Sequence, residues 1–174
     1  MAFQRKLAAT AEIEPLEVPS AEELARRARY IAAVGKFTKL DDATWMIESE
    51  ELDETETETF LKQNAFKQIA CNCQLFLQEG TAKHRNFRCE HKLALRIYKS
   101  LPEMPERVRF NPIAQTYQDL IGTEQQRQLR QMAKNLEIRD MNKTSRARLG
   151  CAFDEASREA AQFLIDCLIE IQNS

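Results

Sequence analysis

The sequence predicts an α+β fold: a small antiparallel sheet with a Cys/His knuckle and flanking helices, followed by a C-terminal helical hairpin. Three observations predict it. A helix-start signal at Ser20 and Glu23 precedes apolar residues at helical spacing. Short alternating runs then lead into two close pairs of potential ligands, Cys71/Cys73 and Cys89/His91. From Gly122 onward the apolar period is again that of helices.

Residues 1–19 read as a polar, partly extended arm ending in Pro15 and Pro19. Ser20 and Glu23 form a capping box, so a helix should cover AEELARRARYIAAV and stop at Gly35, with Leu24, Ala28 and Ile31 on its inner face. GKFTKL and TWMIES read as two strands around Asp41-Asp42, with Trp45 and Ile47 alternating with polar neighbours. The acidic stretch 48–58 carries seven acids and no base, which predicts a solvated loop. NAFKQIA returns as a strand into CNC, and HKLALRIYKSL as a helix stopped by Pro102. Thr123 with Gln126 is a second capping box, followed by Leu129, Met132, Ala133 and Leu136 on one helical face. A last helix is expected over DEASREAAQFLIDCLIEIQ. Two units follow, residues 20–101 and 113–174, with a proline-marked connection between them.

Composition narrows the function classes. The chain has 174 residues, 43% hydrophobic and 30% charged, with four Gly and five Pro, which suits a globular protein rather than a disordered one. No apolar run approaches the ~20 residues of a membrane span, and the N-terminus lacks a signal-peptide core. A cytoplasmic location, or a nuclear one in a eukaryote, is therefore expected. Five cysteines are too few and too uneven for a disulfide scaffold, and Cys151 and Cys167 fall on apolar helical faces where packing is their role. The net charge is −2, but Lys62 to Lys99 contains eight cations against Glu79 and Glu90 only.

The ligand pairs are Cys71-x-Cys73 and, fifteen residues later, Cys89-x-His91. Structural Zn²⁺ takes four soft or borderline donors in a tetrahedron, commonly as two close pairs from separate elements. Deprotonated thiolates also explain the surrounding cations, because a Cys₃His centre holding Zn²⁺ is formally near −1. Four protein donors leave no position for a reacting water, so the zinc is expected to be structural.

The stretch CNCQLFLQEGTAKHRNFRCEHKLAL resembles the SWIM-type zinc finger, whose pattern is Cys-x-Cys, an insert, then Cys-x-His. Phe76 three residues after the second cysteine, Gly80 in the insert and Leu93-Ala94 after the histidine match as well. The preceding helix and strands extend the resemblance over roughly residues 20–100. Gln74 stands where the family often has proline, and the insert is rather long and basic. The resemblance implies Zn²⁺ on Cys71, Cys73, Cys89 and His91, and an association with DNA or with proteins in recombination, transposition or chromatin settings.

Lys83, Arg85, Arg88 and Lys92, with Phe87 among them, supply the cation and aromatic chemistry that binds phosphates and stacks on bases. DNA, single- or double-stranded, is thus the expected partner. GTEQQRQLRQMAKNLEI and EASREAAQFLIDCLIEI resemble the helical tail of some phage and bacterial DNA-metabolism proteins, single-strand annealing proteins among them. Lys143, Arg146 and Arg148 between those segments offer further phosphate contacts. The expected function is a zinc-stabilised accessory protein in DNA recombination, replication or repair, of phage or mobile-element type. The alternative is a protein–protein adaptor or homodimer in which Ala161, Leu164, Leu168 and Ile171 dock a partner. No enzyme is expected: there is no phosphate-binding glycine loop and no nucleophile elbow, and His84 is the only histidine outside the ligand set.

Overall fold

Helix α1 (Ala21–Val34) begins where the capping signal predicts. In the computed structural model, which describes residues 17–50, 56–79 and 87–174, the Ser20 hydroxyl accepts from the Glu23 amide at 3.1 Å. The Glu23 carboxylate turns to Arg26 and Arg27, each at 2.8 Å, and those hydrogen bonds, Arg26 first, hold its pKa down to about 2. Leu24, Ala28 and Ile31 are buried as expected. Gly35 ends the helix for a different reason than a left-handed cap. Its φ is −72°, an ordinary value, but a Cβ there would lie 2.6 Å from the Ile31 carbonyl oxygen and 3.3 Å from Ile47 Cγ2. Crowding by the last turn of α1 first and by Ile47 on the sheet second, not backbone handedness, requires the glycine.

Four strands, β1 (Lys36–Lys39), β2 (Thr44–Glu50), β3 (Glu56–Gln63) and β4 (Ile69–Cys71), form one antiparallel sheet in the order β1-β2-β3-β4. Asp41 Oδ1 accepts from the Ala43 amide at 2.7 Å and shapes the first turn. Ile47 and Leu61 point inward and are fully buried, and Cys71 pairs with Leu61.

The described parts of the acidic stretch are strand rather than the expected loop, with Glu48 opposite Glu58 and Ser49 opposite Thr57, while 51–55 lie outside the described residues. Inward Thr59 is buried, and Lys36 on the neighbouring strand binds Glu48 at 2.6 Å, which offsets the like-charge pairing. NAFKQIA is likewise corrected, because Asn64 to Lys67 make a turn rather than a strand. The Asn64 side chain accepts from the amides of Phe66 (2.9 Å) and Gln68 (3.0 Å), and Lys67 has φ 59°.

The helices after the sheet are α2 (Gln74–Glu79), α3 (Glu90–Ser100), α4 (Glu106–Phe110), α5 (Thr123–Asn135), α6 (Met141–Leu149) and α7 (Arg158–Gln172). The fold class is the predicted α+β with a helical C-terminal region. Helices α2, α4 and α6 were not expected. Helix α5 is capped one residue earlier than predicted: Gly122 is the N-cap, and its N–H donates to the Gln125 side chain at 3.2 Å. Helix α7 starts at Arg158, not Asp154. A backbone hydrogen bond from Ala114 to Glu155 (2.9 Å) and the Ile113–Ala156 bridge hold the preceding residues in a turn, and Ser157 caps the helix.

Helix α7 lies at the centre, against α1, α3, α5 and α6. Its stripe Ala161, Leu164, Leu168 and Ile171 is fully buried, so the expected docking face is covered by the protein's own helices. An apolar stripe at helical spacing marks burial without saying what buries it. Cys151 and Cys167 are buried in the core as predicted.

Arg148 is also corrected. Helix α6 buries it to 8% exposure, so it is not a phosphate contact. Its guanidinium lies 4.9 Å from the Tyr98 ring and 5.5 Å from Phe37, two rings stacked at 4.2 Å. Among the described residues its Nε and Nη2 find no acceptor, so ring quadrupoles supply the compensation.

Two stability outcomes follow. Gly35→Ala should cost about 1–3 kcal/mol by forcing α1 off the sheet, read as a lower urea midpoint. Arg148→Lys, which keeps charge but loses the flat stacking plane, should cost about 1–2 kcal/mol. An unchanged midpoint in either variant would contradict the corresponding contact.

Candidate metal centre

The four predicted ligands come together. Donor atoms of Cys71, Cys73, Cys89 and His91 all lie within 4.8 Å of one another. Metal–sulfur bonds of about 2.3 Å in a tetrahedron put ligand atoms about 3.8 Å apart, so closure needs shifts of an ångström or less.

Local structure explains the convergence. Cys71 is the last residue of β4. Asn72 then clamps the bend to β3: its Oδ1 accepts from the Phe60 amide at 2.8 Å, and its own amide donates to the Phe60 carbonyl at 3.2 Å. The bend returns Cys73 toward Cys71, whose sulfur accepts from the Cys73 amide at 3.5 Å. Cys73 sits at the start of α2, where its sulfur accepts from the Phe76 amide at 3.4 Å. On the other side, Cys89 is the N-cap residue of α3 and His91 lies in the first turn. Negative charge is favoured at such a helix start.

The site is nearly dry. Cys71, Cys89 and His91 are buried and Cys73 is half-buried. Three thiols at this spacing cannot all ionise independently. Hydrogen bonds from Cys71 and Cys73 favour a thiolate on Cys89, holding its pKa down to about 4, while those same contacts and burial push Cys71 far up. The proximity of the three sulfurs thus disfavours ionising all of them together. A divalent cation lifts that limit, because it stabilises all three thiolates together.

No protein-family profile, curated protein or solved structure matches this chain. The site must therefore be read from its own chemistry. It is a Cys₃His cluster suited to binding a metal ion.

The surroundings refine the sequence reading. Lys92 Nζ donates to the Phe87 carbonyl at 2.7 Å and sits 4.8 Å from the Phe76 ring, so it braces the loop entering α3. Phe87 is partly buried against the core rather than fully exposed. Arg88 is exposed, and Lys83, Arg85 and His84 lie outside the described residues. Glu90, which the motif reading passed over, places Oε1 3.7 Å from His91 Nδ1, and burial raises its pKa. Its position directly before a ligand histidine was the available signal. No helix among the described residues is long and apolar enough to cross a membrane.

Titration with Co²⁺ should give thiolate-to-metal charge-transfer absorption saturating at one equivalent, and Cys89→Ser should remove most of it. Because protons compete for the same sulfurs, apparent affinity should fall as pH falls. Equal absorption in the Cys89→Ser protein would exclude this site.

Proposed function

We propose that this protein is a zinc-stabilised nucleic-acid-binding accessory protein acting in DNA recombination, replication or repair. The observation that carries the reading is the buried Cys₃His cluster, set at the N-terminal end of a helix that carries Lys92, Arg96 and Lys99. Soft thiolates with one imidazole favour Zn²⁺, and four protein donors in a dry site suit a structural ion rather than a hydrolytic one. The order Cys-x-Cys then Cys-x-His, with Phe76 and Leu93-Ala94 in place, supports a SWIM-type finger. Zinc here would tie β4 and α2 to α3, cross-linking segments far apart in the sequence. A non-catalytic role agrees with the filled coordination set.

Binding of the zinc-loaded protein to labelled DNA across salt tests the proposal. Contacts to phosphates make affinity fall steeply between ~50 and 200 mM salt. Salt-sensitive binding is expected, and its loss on chelation would tie it to the metal. If neither DNA nor RNA binds at low salt, the protein is not a nucleic-acid-binding one.

A further inference from the structure

A cleft of about 560 Å³ opens between the β3–β4 turn and helix α3. Five cations line it, Lys67, Arg88, Lys92, Arg96 and Lys99, and none of its lining residues is acidic. Four of them recur at steps of four, four and three along and just before α3, which places them on one face over about 16 Å. His91, Ala94 and Leu95, on the sides of α3 turned toward the core, are buried.

Basic helical faces are often solvated by paired acids, and this protein shows that arrangement elsewhere. Arg26 and Arg27 pair with Glu23, and Arg127 with Glu124. Along α3 the pattern stops. Among the described residues no salt bridge engages Lys67, Arg88, Arg96 or Lys99, and the paired acids Glu48 and Glu58 lie toward the end of β2 and β3 away from the β3–β4 turn. Lys99 instead lies 5.2 Å from the Trp45 ring. Like charges left unpaired at this density repel one another, a cost that an anionic ligand would relieve.

A second observation adds an aromatic. Phe66 directly precedes Lys67 at the tip of the turn and is 85% exposed. The turn is held by Asn64 through the Phe66 and Gln68 amides, and Gln63 Nε2 donates to the Lys67 carbonyl at 3.2 Å. The ring is thus presented on a fixed backbone, next to a cationic cleft. An aromatic platform beside a basic groove is the arrangement that holds single strands: phosphates follow the cations while a base stacks on the ring.

We infer that this cleft is a single-stranded nucleic-acid site, with Lys67, Arg88, Arg96 and Lys99 on the phosphates and Phe66 stacked on a base. The inference rests on the nucleic-acid reading above and places it on residues outside the 83–88 insert, apart from Arg88. Duplexes fit it less well, because their bases are already stacked and unavailable to Phe66.

The test uses the full-length zinc-loaded protein, oligothymidine and oligouridine of one length, and a duplex. Two variants leave the metal ligands untouched: Phe66→Ala, and Lys67→Asn with Arg96→Gln and Lys99→Gln. Asn tolerates the positive φ at position 67. Zinc content and melting temperature check that both fold. The triple variant should lower the slope of log affinity against log salt by about 2, and Phe66→Ala should weaken single-strand binding about fivefold or more. Wild-type binding that survives in both variants would overturn the cleft and leave the proposed function standing. Equal duplex binding, indifferent to Phe66→Ala, would overturn the single-strand assignment. Absence of wild-type binding to every oligomer would remove the proposed function and this inference together.

Discussion

Three sulfurs and an imidazole within 4.8 Å, almost out of water, set a charge problem that the neighbouring structure is built around. Thiolates this close repel, and burial penalises each of them further. The protein meets this locally with amide donors to Cys71 and Cys73, with the start of α3 at Cys89, and with the Lys92 ammonium nearby. Partial charges of this size do not match three closely spaced thiolates. The arrangement makes electrostatic sense as a whole when a divalent cation supplies the remainder. The bend at Asn72 and the cap position of Cys89 are what bring the two ligand pairs onto one point.

Helix α3 links this centre to the rest of the molecule through its separate faces. Its N-terminal turn carries Cys89 and His91. Ala94 and Leu95 enter the core, and α3 runs against α1 along much of its length. Tyr98, further along, stacks on Phe37 from β1 and lies under the Arg148 guanidinium from α6. The remaining face holds Lys92, Arg96 and Lys99 toward the cleft. Core packing fixes the rotation of this helix, and that rotation sets both the ligand direction and the basic face.

What could be read in advance follows from the range of each interaction. Local signals were legible: the Ser20 cap, the glycine at the end of α1, the two ligand pairs and the apolar stripe of α7 all depend on residues a few positions apart. Interactions between distant segments were not. The acidic stretch looks like a loop until Lys36 and buried Thr59 are brought beside it. Arg148 looks like a surface cation until α6 lays it on rings 50 and 111 positions away. The α7 stripe announces burial, and only tertiary packing shows that the partner is the same chain. The spacing of Arg88, Lys92, Arg96 and Lys99 is visible in the sequence, where Arg88 and Lys92 read as phosphate contacts and Arg96 and Lys99 only as part of the local charge.

The turn at Asn64–Lys67 shows how one misread segment alters a functional reading. As a continuous strand, NAFKQIA would place Phe66 and Lys67 on opposite faces of the sheet, where alternation allows only one of them toward any given ligand. Folded as a turn, the two residues sit together at the tip, with Lys67 in a left-handed conformation that an L-residue adopts at some cost. The turn itself does not need a lysine or a phenylalanine there. Asn or Gly would satisfy the backbone better, and a polar residue would suit the 85% exposure of Phe66. Both choices run against the local preference, which is where a demand from outside the fold is most visible. Lys67 lines the cleft and Phe66 adjoins it at the tip of the turn, so neither residue type is explained by the turn alone.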